Sequence, residues 1–469
     1  MDKSTRYRPH LASPIKICLA LLCTILISGC SKINDIPIGT GYAAKNICSG
    51  YFMGGIDSDI LTDRFISPQI EPLPPLLNIS INDDEKTVYV EDIIFRKHFS
   101  AEAYYREGFG CTLMQNSTKE KLDAQLPNPL PYLLTEQLPW PAGKGGVAEP
   151  QLGVNYEALN TAIKNGFTEN KNNTRNTMAI AVIHNNQLIA EQYAPEINAD
   201  TKMVGWSMTK SFVSTLIGLL QDRGFLDITD PAPVAEWVNT DKEQITTEQL
   251  LHMASGLEWF EESQGPNADQ GYVLHRTEDF SAFYTAQPLV AEPGTVYNYS
   301  TGASSLLGRI AQEQLGGDLA DTYYFIQDAL FHKINIDDAV LEFDTIGQPA
   351  SGTYLWLTAR DWARLGLLYL NNGNWFGNQV LSQQWIDQAL TPSPSNPEYS
   401  AQIWVNTNKS VWPYLPESTF AFLGHQQQRV MIVPEHGLVV VRLGYSFEGG
   451  ADKLEELMTG IIAALPYPT

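Results

Sequence analysis

Residues 205–212 read Gly-Trp-Ser-Met-Thr-Lys-Ser-Phe, which places Ser207 three residues before Lys210. On a helix, residues three apart share one face, so the lysine amine can reach the serine hydroxyl. A serine becomes a strong nucleophile when a base removes its proton, and lysine is a base only when it is neutral. Because only about 0.04% of lysine is neutral at pH 7 at its ordinary pKa, burial must lower that pKa. A solvated surface pair is the competing interpretation, and other parts of the sequence must decide.

Two stretches further along the chain contain residues suited to the same active site. Tyr299 and Thr301 follow a Pro-Gly turn, and His425 lies in a strand-like pattern near the end of the chain. The order of the three stretches resembles that of the serine β-lactamase and penicillin-recognising family, over about residues 150–469. Within it, the nearest branch looks like class C β-lactamases, related esterases and hydrolases of nylon-type amide oligomers. Each motif alone is weak, and their shared order makes the resemblance specific.

The resemblance implies a role for each residue of the second stretch. The family has Tyr-x-Asn here, so Tyr299 takes the tyrosine position and its phenol would relay a proton between the serine, the lysine and the leaving group. Tyr297 gives an alternative register, which lies closer to the Pro-Gly turn. Thr301 stands where class C enzymes have an asparagine that helps to hold the substrate amide. This departure argues against efficient β-lactam hydrolysis.

The third stretch departs from the family pattern as well. His425 fits the first position of the His-x-Gly motif of the esterase-like branch, and Gln427 replaces its glycine. Glycine allows a substrate to approach the strand closely, so Gln427 is expected to reshape the pocket. The backbone N–H of Gln428, together with that of Ser207, is the predicted oxyanion hole. A histidine that merely ends a strand is the competing interpretation for His425.

Together these residues predict a serine hydrolase that forms an acyl-enzyme on an amide or ester. A small molecule, a short peptide or an ester would be the substrate, and neither a metal nor a cofactor is implied. The alternative function is a non-catalytic binding or sensor protein of the cell envelope on the same fold. Retention of Ser207, Lys210 and Tyr299 together argues for catalysis, because binding alone would not need all three.

The elements that must position these residues can be read from the apolar pattern. Strand-like hairpins occur at residues 176–193 and 429–446, and mostly helical patterns fill residues 240–400. Strands at both ends with helices between predict an α/β (α+β) fold, in which an antiparallel sheet is flanked by helices and a helical subdomain is inserted. The active site is expected in the cleft between sheet and helices.

Composition divides the chain into four parts. Residues 1–29 are a targeting segment, residues 30–124 form an N-terminal region, residues 125–149 are a proline-rich linker, and residues 150–469 are the hydrolase domain. The N-terminal region carries no motif with an assignable chemistry. It is expected to pack over the hydrolase domain and to frame the cleft.

The first thirty residues have the pattern of an exported lipoprotein. A positively charged start precedes a short apolar run, residues 17–27, and then Ser28-Gly29-Cys30. Such a run suits a signal peptide better than a membrane span. The sequence resembles a lipobox, in which Cys30 takes the lipid and becomes the first residue, and Ser31 favours the outer membrane. The expected location is the outer membrane, facing the periplasm, with membrane attachment through the lipid. An uncleaved anchor is the alternative.

Cysteine usage and charge agree with export. Of the five cysteines, only Cys48 and Cys111 remain after signal removal and lipidation. An even pair in an oxidising compartment predicts a disulfide, with two buried thiols as the alternative. The net charge of −23 repels phosphate backbones and therefore argues against nucleic-acid binding. The sequence leaves the oligomeric state open.

Overall fold

The structure, a computed structural model, describes residues 35–95, 98–131, 138–169, 174–261, 268–447, 450 and 452–466. The predicted signal segment 1–29 and the lipidation site Cys30 lie outside the described residues. Within the described ranges, no helix is both long enough and apolar enough to cross a membrane.

The N-terminal region is a four-stranded antiparallel sheet with one long helix packed against it. The helix, α1, runs over Ile36–Cys48, and eleven of its residues are buried, so it is an interior helix and not a surface one. Short turns follow it, including α2 (Ser58–Ile60) and α3 (Ser67–Ile70). The sheet has the order β1-β2-β3-β4, and α4 (Lys119–Asp123) follows it. Its strands are β1 (Leu77–Asn82), β2 (Thr87–Asp92), β3 (Ser100–Arg106) and β4 (Gly110–Leu113).

A disulfide between Cys48 and Cys111 joins the end of α1 to β4. The structure therefore contains the bond that the cysteine count predicted. Both cysteines are fully buried. Since 63 residues separate them in sequence, the bond fixes the helix on its sheet by closing a long loop.

The remainder of the described chain is the predicted hydrolase domain. Its strands are β5 (Thr177–His184), β6 (Gln187–Tyr193), β7 (Met203–Val204), β8 (Val340–Leu341), β9 (Leu355–Leu357), β10 (Asn374–Trp375), β11 (Asn378–Gln379), β12 (Trp404–Val405), β13 (Phe420–Gly424), β14 (Gln428–Val433) and β15 (Leu438–Gly444). Its helices are α5 (Tyr156–Gly166), α6 (Met208–Asp222), α7 (Thr247–Leu251), α8 (Asp269–Arg276), α9 (Ala282–Thr285), α10 (Thr301–Leu315), α11 (Leu319–Ile326), α12 (Ala359–Leu370), α13 (Gln383–Leu390) and α14 (Leu454–Ala464).

The central sheet is six-stranded and antiparallel, with the order β12-β13-β14-β15-β5-β6. Strand β15 pairs with β5 in a register that sets Val440 opposite Val182, so the two ends of the domain meet in the middle of the sheet. Helices α5 and α14 pack on the sheet face that carries these two valines, and α6 and α12 cover the other face. The predicted fold, a sheet from distant segments with helices inserted between them, is confirmed.

Residues 138–149, the second half of the proline-rich stretch, lie against the hydrolase domain. Trp140 is buried, and Arg364 donates hydrogen bonds to the carbonyls of Pro141 (3.1 Å) and Gly143 (2.6 Å). Arg360 donates another to the Lys144 carbonyl at 2.7 Å. Two arginines of α12 thus hold a segment that has no regular structure of its own.

A buried ion pair joins the N-terminal region to the hydrolase domain. Lys45 of α1 contacts the fully buried Glu342. The same carboxylate accepts hydrogen bonds from the Ser49 hydroxyl (2.7 Å), the Cys111 N–H (2.7 Å) and the Trp356 indole (2.8 Å). These donors offset the cost of removing the charge from water. The two parts therefore share one core.

Candidate active site

Ser207 lies at the N-terminal end of α6, directly after a strained residue. Trp206 has φ +49°, in the left-handed region that bulky side chains rarely adopt. The preceding Gly205 has no room for a side chain, since a Cβ there would lie 2.1 Å from the Trp362 ring. The chain thus turns sharply between β7 and α6, and this turn leaves Ser207 on the wall of a cavity.

Lys210 lies one helical turn after Ser207 and is fully buried. Its Nζ is 3.1 Å from the Ser207 Oγ, 2.9 Å from the Thr301 Oγ1 and 2.9 Å from the Gly352 carbonyl oxygen. Burial lowers the pKa of Lys210 from its ordinary 10.5 to about 8, although the nearby Glu261 carboxylate raises it. About one tenth of the lysine is then neutral at pH 7. The surface-pair interpretation does not apply to this pair.

Tyr299 lies on the other side of the nucleophile. Its ring centroid is 5.0 Å from the Lys210 Nζ. Burial, and then the Glu261 carboxylate, raise the pKa of Tyr299 well above 10, while a hydrogen bond with Ser207 partly opposes them. The phenol is therefore protonated at neutral pH. Tyr297, the alternative register, packs on Tyr399 with ring centroids 5.4 Å apart and is not part of the cavity wall, whereas Tyr299 is.

His425 follows the end of β13 on the cavity wall. Its Nε2 lies 2.7 Å from the Gln69 Oε1 of the N-terminal region, and its ring packs edge-on against Trp206 at 5.6 Å between centroids. Burial lowers the pKa of His425 to about 4, so the imidazole is neutral over the physiological pH range. The strand also comes close to the nucleophile, because a Cβ on Gly424 would lie 2.2 Å from the Gly205 carbonyl oxygen.

The structure differs from the prediction at Gln427 and Gln428. The strand does not continue through His425 but turns, with Gln426 at φ +58° and Gln427 at φ +63°. Inside this turn the Gln428 N–H donates to the His425 carbonyl, and its side chain bonds to the backbone of Gly444. Gln427 contacts Arg429. Neither glutamine lines the cavity, so the predicted oxyanion donor Gln428 is corrected: its N–H already has a partner.

The cavity has a volume of about 670 Å³ and is built by both parts of the chain. The N-terminal region contributes residues from α1 and from residues 68–73, Tyr42 and Leu73 among them. Tyr42 stacks on Trp206 at 6.1 Å between ring centroids. The expectation that the N-terminal region frames the cleft is confirmed. No motif in the sequence pointed to these wall residues.

Sequence reasoning also missed a carboxylate beside the lysine. Glu261 lines the cavity and accepts hydrogen bonds from the Thr301 N–H (2.8 Å) and the Thr301 hydroxyl. Gln270 of α8 donates to the same threonine oxygen at 3.2 Å. Thr301 thus lies beside Lys210, fully buried in a polar cluster that spacing alone could not reveal, and it is not part of the cavity wall. Among the described residues, no group of three or more metal-ligating side chains occurs.

Comparison with known proteins identifies the family of this chain. The sequence profile of the β-lactamase family matches residues 165–460. The match spans more than half of the chain, and the chain therefore belongs to the β-lactamase family.

The proteins that are similar to this chain are of different kinds. A 6-aminohexanoate-dimer hydrolase from Paenarthrobacter ureafaciens is 24% identical over 292 residues, which cover 57% of this chain and 72% of that enzyme. A penicillin-binding protein homologue from Caulobacter crescentus superposes with a TM-score of 0.53 at 15% identity, covering 68% of this chain and 99% of its own. A class C β-lactamase gives 0.52 at 15% identity, with 67% and 97% covered. The two structural likenesses concern the fold alone.

Proposed function

We propose that this chain is a serine hydrolase that forms an acyl-enzyme on Ser207. One observation supports this most directly: the Lys210 Nζ lies 3.1 Å from the Ser207 Oγ in a buried place that lowers its pKa to about 8. A lysine that is neutral in part at neutral pH can take the hydroxyl proton.

The chemistry then follows in two halves. In the first half the Ser207 Oγ attacks the substrate carbonyl carbon as its proton passes to Lys210. The intermediate collapses when Tyr299 protonates the departing amine or alcohol, and the Lys210 ammonium then returns a proton to the Tyr299 phenolate, which leaves the lysine neutral again. In the second half a water molecule attacks the acyl ester as its proton passes to neutral Lys210, and the acid leaves when the Lys210 ammonium returns that proton to the Ser207 Oγ. The protonated state of the Tyr299 phenol suits it to be the acid of the first half.

The oxyanion that forms on the substrate carbonyl needs two N–H donors. We assign one to Ser207, at the positive end of the α6 dipole. With Gln428 bonded elsewhere, we assign the second to the backbone N–H of His425, at the strand end that closely approaches Gly205. The His425 ring is held by Gln69 and Trp206, so the donor is fixed before the substrate arrives.

The charge of the cavity favours a substrate without a carboxylate near the scissile bond. Among the residues that the structure describes, the cavity wall includes the acidic residues Asp35, Glu71 and Glu261 and contains neither lysine nor arginine. A carboxylate such as that of a β-lactam antibiotic would meet repulsion there. We therefore propose a neutral or amine-bearing amide or ester as the substrate.

Labelling with a fluorophosphonate tests the proposal. Mass spectrometry should find the label on Ser207, and Lys210→Ala should abolish it while the protein still unfolds at an unchanged temperature. Hydrolysis of p-nitrophenyl acetate without hydrolysis of nitrocefin would place the activity on the esterase and amidase side. Absence of label on the folded native protein would reject the hydrolase and favour a binding protein.

We also propose that the protein is a lipoprotein of the cell envelope. The support is the N-terminal sequence that ends in Cys30, together with a disulfide, which is a bond of oxidising compartments. Metabolic labelling with a fatty acid should mark the native chain and not Cys30→Ala. Labelling of both would overturn the assignment.

A further inference from the structure

The carboxylate of Glu261 is held by donors on several sides. The Thr301 N–H reaches it at 2.8 Å, and the Thr301 hydroxyl and the Trp259 indole N–H also donate to it. An ionised carboxylate only accepts hydrogen bonds, so the direction of each of these bonds is fixed. The acyl-enzyme steps above make no use of this residue.

The direction of the Thr301 hydroxyl has a consequence for Lys210. Because the hydroxyl hydrogen goes to Glu261, the Thr301 oxygen can only accept from Lys210, at 2.9 Å. The Gly352 carbonyl, also at 2.9 Å, is an acceptor as well. A neutral amine has two N–H bonds and one lone pair. If both N–H bonds go to these two acceptors, the lone pair is left facing the Ser207 Oγ at 3.1 Å.

We propose that Glu261 is a positioning residue that, through Thr301, turns the lone pair of neutral Lys210 toward Ser207. The proposal rests on the proposed hydrolase function. Without an anionic acceptor, the Thr301 hydroxyl could rotate and donate its hydrogen to the Lys210 lone pair, which would remove the base. A hydroxyl that both accepts from lysine and donates to a carboxylate also explains why threonine serves at the asparagine position.

A second effect of Glu261 is electrostatic and can be measured separately. The groups that face Lys210 are the Ser207 hydroxyl on its own helix, the Tyr299 ring, the Thr301 hydroxyl of α10, the Gly352 carbonyl and the Glu261 carboxylate. Glu261 is the charged member of this described set. Its negative charge raises the pKa of Lys210 against the effect of burial. Removal of that charge must lower the pKa of Lys210, and the alkaline plateau of the labelling rate would then begin at a lower pH.

The experiment is the pH profile of fluorophosphonate labelling for Glu261→Gln. We expect the plateau rate to fall at least ten-fold while the midpoint of the profile moves to lower pH. A merely structural role would not move that midpoint. Glu258→Gln removes a carboxylate three residues earlier that is not part of the cavity wall, and it should keep the native rate and midpoint.

A conservative pair at the intermediate residue gives an independent test. Thr301→Ser retains the hydroxyl and should retain most of the rate, whereas Thr301→Val loses the hydrogen bonds of the hydroxyl with Lys210, Glu261 and Gln270 and should fall as far as Glu261→Gln. If Glu261→Gln proves unfolded in a thermal melt, the comparison of Thr301→Ser with Thr301→Val tests the positioning role of Glu261 in its place. Equal rates for the two threonine variants, or a native profile for folded Glu261→Gln, would overturn the role of Glu261. Absence of label on the native protein would instead reject the hydrolase itself.

Discussion

The pKa of Lys210 makes the nucleophile's reactivity a steep function of pH. In the proposed mechanism neutral lysine is the active base, so acylation should be fast above this pKa and should decline as the pH falls through it. With a pKa of about 8, the neutral fraction is about 1% at pH 6, about 10% at pH 7 and about 90% at pH 9. The rate should therefore rise about ten-fold from pH 6 to 7, about five-fold from pH 7 to 8, and about 90-fold over the whole range from pH 6 to 9.

The assay is the second-order rate constant of fluorophosphonate labelling of Ser207, measured from pH 6 to 10. Lys210→Arg is the matched variant, because arginine keeps the positive charge and cannot act as the base at these pH values. Its labelling should be lost at every pH. A profile that is flat from pH 6 to 9, or one with its midpoint near 6.5, would refute lysine as the base. Titration of His425 cannot account for the expected rise in rate, because its pKa of about 4 lies below the pH range of the assay.

Further predictions concern the attachment of the N-terminal region. Replacing both Cys48 and Cys111 with serine should lower the free energy of unfolding by roughly 4 kcal/mol in urea titrations, and an unchanged midpoint would contradict a stabilising role. Lys45→Ala leaves the Glu342 charge buried without its partner and should cost about 3–5 kcal/mol. Truncation of Lys119, which forms an exposed ion pair, should change the unfolding midpoint little. Equal losses from the two lysine variants would show that burial of the pair is unimportant.

The parts of the fold that the sequence predicted well are those with local periodicity. The hairpin expected at 176–193 is formed by β5 and β6, over Thr177–His184 and Gln187–Tyr193. The apolar run after Ser207 is α6, which ends at Asp222. These patterns succeed because they are short, apolar runs that become interior elements: every residue of β5 is buried, and so are thirteen of the fifteen residues of α6.

The active-site parts that the sequence did not predict depend on tertiary contacts or on unusual backbone. Glu261 meets Thr301 only after the chain has folded. The turn through Gln426 and Gln427 places two glutamines at positive φ, a conformation for which glutamine has no preference. An extended strand was therefore the natural expectation, and it led to the prediction of Gln428 as oxyanion donor, although the Gln428 N–H donates to the His425 carbonyl in the structure.

The cavity wall also has a meaning for how this protein could diverge. Tyr42 and Gln69 line the cavity from outside residues 165–460, the portion that matches the β-lactamase family. Mutations in this outer segment can alter which molecules enter without touching Ser207 or Lys210. Evolution can therefore change the substrate specificity while the reaction chemistry is conserved. Two proteins with identical catalytic motifs can then have unrelated substrates. Assigning the substrate of one relative to another because their motifs agree would overlook the part of the cavity wall that the N-terminal region supplies.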